Sequence, residues 1–341
     1  MNCVRRTIVL FAALACFSCR SIRTVSYEIE KEHVASELRI VQISDFHSND
    51  FGAEESKLIK KIKNAAPDII VITGDLYDRR MGEEKYFGNV ELLLSGIQDI
   101  CPIFFVTGNH DFVNLQFAEK YALLETYGVR ILHDEVVCFP HDDGVVVIAG
   151  IHDPYFDLGD SVAHIMRDQK EKYRERLAAL AHKTREAVAA YEADECMIET
   201  HASLENNATL SFADSGEIYA AAQLGDGSST QRRQRVLFTV LLAHRPEYVD
   251  DYEQYDFDII LSGHTHGGQW RFPPFINGVY APGQGTFPKY AGGKYMLKNE
   301  SATIMIVCRG LSYQQPKVAR IFNSPELVLV RVIKMHEKKK R

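Results

Sequence analysis

Leu38-Arg39-Ile40-Val41-Gln42-Ile43-Ser44-Asp45-Phe46-His47 is the stretch whose reading decides the fold. Its leucine, isoleucine and valine run predicts a buried strand over 38–44. That strand leads straight into an aspartate and a histidine two positions apart, and open α/β sheets bind ligands at the carboxyl ends of their strands. The arrangement returns twice downstream: 68–73 is followed by Gly74-Asp75-Leu76-Tyr77-Asp78, and 102–107 by Gly108-Asn109-His110-Asp111. Between them, Leu58, Ile59 and Ile62 at helical spacing predict a helix from about 54 to 66, ended by Pro67, and a second spans 86–100. This β-α-β-α-β alternation calls for a parallel sheet with covering helices.

The second half repeats the logic. Shorter strands are expected at 129–132, 135–139 and 145–149, the last two separated by a Pro-His-Asp-Asp-Gly turn. The run 236–243 delivers His244, and 257–262 delivers Gly263-His264-Thr265-His266; strands at 302–308 and 326–332 close the chain. Aspartate, asparagine and histidine are oxygen and neutral-nitrogen donors suited to divalent first-row metals, so the set reads as a two-metal hydrolytic centre. For Asp45 and His47, or His264 and His266, to reach one ion, the chain must leave extended geometry, which the nearby glycines permit.

In order, D-x-H, G-D-x-x-D, G-N-H-D, H and G-H-T-H resemble the signature of the calcineurin-like metallophosphoesterases, with agreement at every motif from about Asp45 onward. The segments 261–269, Arg309-Gly310-Leu311 and Ser324-Pro325-Glu326-Leu327 are similar to the membrane-associated bacterial branch of YkuE- and YaeI-like phosphodiesterases. The resemblance implies an α/β fold, a four-layer α/β/β/α sandwich of two mixed sheets flanked by helices. It also implies that Asp45, His47 and His266 hold one metal, that Asp75 bridges, and that Asn109, His244 and His264 hold the other. His110, beside ligand Asn109, is then the general acid, with Asp111 orienting its imidazole. Asn109, Gly267, Gly268, Gln269 and Arg309 are the expected substrate contacts, a structural ion pair being the alternative for Arg309. Asp78 is expected to structure the loop. The donor set suits manganese, iron or zinc alike. The reaction expected is phosphodiester or pyrophosphate hydrolysis, and the resemblance suggests nucleotide-linked lipid precursors such as UDP-diacylglucosamine. A phosphomonoesterase or protein phosphatase is the second reading and a catalytically silent metal-bound scaffold the third, although no motif residue is missing.

Composition bounds the rest. With 46% hydrophobic and 25% charged residues the 341-residue chain can bury a sizeable core, and a net charge of −7 argues against a nucleic-acid platform. Of the seven cysteines, the four in the body, Cys101, Cys138, Cys196 and Cys308, are expected to be buried free thiols, and Cys19 or Cys16 is a candidate lipid acceptor. Arg5-Arg6 and the apolar run from about 8 to 17, closing on Ser18-Cys19, resemble an export signal or lipoprotein segment. Residues 1–35 are therefore expected to be an anchor and linker of a cell-envelope protein, with a cleaved soluble form as the alternative. The catalytic domain is expected over 36–333, with a basic tail at 334–341. From 159 to 235 there are no metal motifs; Val162, Met166, Tyr173, Leu177, Leu180, Thr184, Val188 and Tyr191 mark one long amphipathic helix. It is expected to be a helical insertion packed on the core, or else a lid facing an acylated substrate. His33, His133, His141, His152, His164, His182, His201 and His336 are left as structural.

Overall fold

The computed structural model describes residues 21–32, 34–52, 56–78, 83–111, 117–142, 144–154, 166–192, 235–313 and 320–335. In chain order the elements are β1 (Arg23–Lys31), β2 (Leu38–Ile43), α1 (Ser56–Ala65), β3 (Ile69–Thr73), α2 (Glu83–Ile97), β4 (Ile103–Val106), α3 (Phe117–Thr126), β5 (Val129–Ile131), β6 (Glu135–His141), β7 (Gly144–Ile151) and α4 (Met166–Glu192). The second half adds β8 (Arg235–Ala243), β9 (Ile259–Ser262), β10 (Tyr280–Ala281), β11 (Gly285–Thr286), β12 (Gly293–Met296), β13 (Ile304–Val307) and β14 (Glu326–Lys334). One sheet runs β1-β14-β2-β3-β4-β5 and the other β12-β13-β9-β8-β7-β6. Both are mixed: β2 to β5 are parallel with β14 antiparallel to β2, and β13, β9, β8 and β7 are parallel with β12 and β6 antiparallel at the edges.

Strand alternation sets the layers, because successive side chains point to opposite faces. Ile40 packs between the sheets with Val71, Val106, Val240, Leu242, Leu261 and Val330. Val41 and Ile43 point the other way, onto Leu58 and Ile62 of α1 and Val90, Leu93 and Leu94 of α2. On the far face of the second sheet, Ala149, Ile151, Leu241, Ala243 and Ile260 meet Tyr173, Leu177 and Leu180 of α4. The order is helix, sheet, sheet, helix. Gln42 is a buried polar residue between the sheets, its Nε2 amide donating to Ser262 O at 2.9 Å and Thr73 Oγ1 at 3.0 Å. Its hydrogen bonds join the two sheets just beneath the ends of β2 and β9.

One boundary differs from expectation. The fold begins before Ser36: β1 pairs in parallel with β14 over nine residues, from Arg23 opposite Glu326 to Lys31 opposite Lys334. The strand is included because it covers an edge of β14 and buries Ile29. The helix expected within 159–235 to pack on the core does so as α4, from Met166 to Glu192. It is the outer layer of the second sheet, and each large side chain it buries contributes about 1.5–3 kcal/mol. Its buried apolar side chains cover that sheet. Residues 1–20, the segments 155–165 and 193–234 with His164 and His201, and His33 and His336 lie outside the described residues. Among the described residues, Cys101, Cys138 and Cys308 are free thiols, and no helix is long and apolar enough to cross a membrane.

Candidate metal centre

The carboxyl ends of β2, β3 and β4 meet those of β8 and β9 because the parallel strands of both sheets finish at the same edge. Hydrogen bonds between the emerging loops lock them together: Asp45 N to Gly74 O (3.0 Å), His47 N to Asp75 O (3.0 Å) and Gly263 N to His244 O (2.9 Å). The change of direction expected at the ligands is made by the ligand residues themselves. Asp45, His47, Asp75, His264 and His266 have φ of 48°, 47°, 52°, 69° and 48°. Left-handed backbone at a non-glycine residue costs of order 1–3 kcal/mol and persists only where its surroundings over-determine it. Aspartate and histidine tolerate it better than most. At Gly108 the demand is space, since a Cβ there would stand 2.3 Å from Asp75 Oδ1.

The side chains converge in two groups. Asp45, His47 and His266 form one and Asp75, His244 and His264 the other, the donor atoms of each lying within 4.8 Å of one another. Asp75 Oδ2 stands between them, 3.5 Å from His47 Nε2 and 3.4 Å from His244 Nε2. Its other oxygen accepts the His110 backbone N–H at 2.7 Å. His266 Nε2 is 3.7 Å from Asp45 Oδ1, and the His47 and His266 rings stack with centroids 5.1 Å apart. Asn109 Oδ1 is buried without a hydrogen-bond partner among the described residues. Buried polar atoms are almost always satisfied, so this oxygen is the kind a cation completes. Two carboxylates, four imidazoles and an amide oxygen fit two divalent ions. A third grouping, His47, Asp78 and His110, also meets the distance requirement.

Without metal, these buried charges must balance one another. Burial works to lower the pKa of His244, but Asp75, Asp45 and Asp153 outweigh it and raise the group to about 10. Burial works to raise Asp75, but His244, His110 and His47 hold it well below the usual carboxylate range. Asp45 is pushed up to about 6, chiefly by burial. His264 and His266 are held well below 6.5 by burial and by neighbouring cations, Arg245 for one and His47 with Arg320 for the other. They are neutral and ready to donate lone pairs. Loading the site requires the His244 proton to leave.

The residues around the donors fix their tautomers, and most were not anticipated from sequence. His244 Nδ1–H donates to Thr73 O at 2.7 Å, leaving Nε2 toward Asp75. His264 Nε2 lies 3.2 Å from Arg245 Nη1 and 3.5 Å from Glu247 Oε1, and its Nδ1 is directed at His244. Glu247 is in turn held by Arg245 (3.2 Å), which also pairs with Asp153 at 2.6 Å. Ligand histidines commonly give their second N–H to a carboxylate or carbonyl in this manner. Asp153 follows the apolar strand β7, the same signal that marks Asp45 and Asp75. Arg320 Nη2 lies 3.4 Å from His266 Nδ1.

Asp111, expected to orient the His110 ring, has a carboxylate that accepts the backbone N–H groups of Gly108 (2.7 Å), Asp75 (2.8 Å) and Tyr77 (3.1 Å). Asp78 is the acid beside that ring, its Oδ1 4.0 Å from His110 Nδ1. Arg309 is bound to fully buried Glu326 in an ion pair, so it takes the structural alternative. Gly267 and Gly268, at φ of 62° and 69°, serve close packing, since Cβ atoms there would meet Asn323 Oδ1 at 2.3 Å and Gly278 Cα at 2.4 Å. Asn323 then holds the turn by donating to His266 O and Gln269 O, and Gln269 is buried within it. His152 is buried, with Thr107 Oγ1 at 2.9 Å from its Nδ1 and His133 Nδ1 at 2.6 Å from its Nε2.

A profile of the calcineurin-like phosphoesterases matches residues 38–268. The chain is 24% identical over 311 residues to the UDP-2,3-diacylglucosamine pyrophosphatase LpxG of Chlamydia muridarum, covering 87% of this chain and 84% of that protein. It is 25% identical over 290 residues to the uncharacterized protein YpbG of Bacillus subtilis, covering 84% and 82%. An uncharacterized metallophosphoesterase of Aquifex aeolicus is 23% identical over 330 residues, covering 95% and 97%. These similarities do not single out the YkuE- and YaeI-like branch.

Proposed function

The chain belongs to the calcineurin-like phosphoesterase family, metal-dependent hydrolases of phosphoesters, and from that premise we propose that it cleaves the pyrophosphate of a nucleotide-linked lipid precursor of the UDP-diacylglucosamine kind at the cell envelope. The observation that carries the reading is the meeting of two donor groups at Asp75 Oδ2. The similarity to a pyrophosphatase along most of both chains supports the substrate class. The apolar run after Arg5-Arg6 supports the location.

In this reading Asp45, His47 and His266 would hold one ion and Asn109, His244 and His264 the other, with Asp75 available to both. Two such ions stabilise the attacking and leaving oxygens of an in-line displacement. The protein supplies the rest. The side chains of His47, Asp75 and His244 are at most 1% exposed, which keeps bulk water from the donors, whereas His110 is 15% exposed. His110 is tied to the bridging carboxylate through its backbone N–H and faces Asp78 through Nδ1. In this reading its imidazole carries the proton that the departing oxygen needs. This placement favours the acid role over ligation by the third grouping.

The test is product analysis with the purified full chain supplied in turn with manganese, iron and zinc. Release of UMP and the lipid phosphate from UDP-2,3-diacylglucosamine, ahead of simple diesters and monoesters, is expected. Fast monoester turnover with the pyrophosphate left intact would overturn the proposal.

A further inference from the structure

The turn that carries His266 runs directly into an apolar protrusion. Trp270-Arg271-Phe272-Pro273-Pro274-Phe275-Ile276 doubles back on itself, with Phe272 and Ile276 exchanging backbone hydrogen bonds at 2.9 and 3.0 Å. The β10–β11 hairpin follows, tied to the same loop by Val279 N to Trp270 O at 3.0 Å. Nine large hydrophobic side chains are exposed among the described residues, and six of them belong here: Trp270, Phe272, Phe275, Tyr280, Phe287 and Phe322. Phe275 is 90% exposed and Phe287 70%. Phe322 meets Phe272 edge to face, centroids 6.0 Å apart. Phe272, Pro273, Phe275 and Phe322 line a shallow cavity of about 460 Å³ together with Arg23 and Ser324. Apolar side chains gathered in this way mark an interaction surface.

Arg23 identifies what covers it. It opens β1 and lines the cavity, so the polypeptide preceding the fold arrives at the aromatic patch. The apolar run at 8–17 ends six residues before Arg23, within about 20 Å even if those residues are fully extended. Tryptophan, tyrosine and phenylalanine with arginine and lysine alongside is the composition that settles in the headgroup region of a bilayer. Arg23 is exposed and lines the cavity with Phe272, Phe275 and Phe322. We propose that the 270–287 segment, with Phe322, docks on a phospholipid bilayer. Docking there sets the metal centre against the lipid surface, because His266 and Gln269 sit at the root of the same segment. A phosphoester borne on a lipid then reaches the donors without leaving the membrane. The membrane-facing element is this aromatic segment, and α4 spends its apolar stripe on the second sheet. Docking complements the lipid-linked substrate reading, yet its test uses no substrate, so either can fail alone.

Trp270 is the only tryptophan in the chain, which makes its emission a direct reporter. The full chain is reconstituted into phosphatidylcholine–phosphatidylglycerol vesicles whose acyl chains carry bromine near the headgroup. Most Trp270 emission should be lost to the brominated lipid and little to aqueous iodide. F275D and F287D should each weaken docking about tenfold, and together they should reverse the two quenchers. Their turnover of a water-soluble diester should stay unchanged, which also reports that they are folded. Emission quenched by iodide and untouched by brominated lipid would overturn the proposal. So would a blue shift that grows with protein concentration in lipid-free detergent, since a second copy would then cover the patch.

Discussion

Asp111 provides the sharpest division between holding the site together and acting in it. Its carboxylate accepts hydrogen bonds from three buried backbone amides, those of Gly108, Asp75 and Tyr77. Alanine at this position leaves all three unsatisfied, at about 1–3 kcal/mol each. The sum, about 3–9 kcal/mol, is comparable with the whole stability of a typical domain, about 5–15 kcal/mol. Asparagine keeps one acceptor oxygen. Turned toward Gly108 and Asp75, it loses only the Tyr77 bond and costs about 1–3 kcal/mol. D111N should therefore fold with reduced stability and loosened metal, and D111A should be largely unfolded after chelation. Urea denaturation of metal-loaded and chelated protein gives the stabilities, and diester turnover of the folded fraction gives the activity. If Asp111 instead oriented the His110 imidazole, D111N would keep its stability and lose turnover by the size of an acid step, about 10²–10⁴-fold. That result would refute the reasoning.

H110A should lower turnover by about 10²–10⁴-fold while metal analysis finds the ion content unchanged; loss of an ion would make His110 a ligand. R309A leaves Glu326 buried and unpaired, so denaturation should show a loss of about 3–5 kcal/mol with KM of the folded fraction unchanged. A raised KM at full stability would restore Arg309 as a substrate contact. The metal-free protein should lose stability as pH rises from 6.5 toward 10, because native His244, raised to about 10, keeps a proton that the unfolded chain has released. The slope from this group is up to about 1.4 kcal/mol per pH unit. Denaturation of chelated protein across that window checks it, and a rise would contradict it. Metal affinity should strengthen over the same range as the proton leaves.

Strands that end in a charged residue were the legible part of the sequence. β2, β3, β8 and β9 are apolar runs that stop at Asp45, Asp75, His244 and His264, and the structure brings these side chains together. β1 escaped because Arg-Thr-Val-Ser-Tyr-Glu-Ile-Glu-Lys is a partly exposed edge strand. Its partner β14 lies at the other end of the chain, so nothing local announces the pairing. The stripe on α4 was legible, but a stripe does not say which surface it covers. Adjacency in the chain does not reveal that the Asp111 carboxylate accepts backbone amides, or that Asp78, from another strand end, stands 4.0 Å from His110 Nδ1. For Arg309 the sequence left substrate contact and ion pair both open, because Glu326, its partner, is distant in the chain.

Metal content of the wild-type chain and of D75N, measured after reloading and paired with diester turnover, tests the central claim most directly. The account predicts two ions per wild-type chain, and in D75N loss of bound metal together with turnover. A D75N protein that still holds two ions, or a wild-type chain that hydrolyses the diester at full rate after complete chelation, would contradict it.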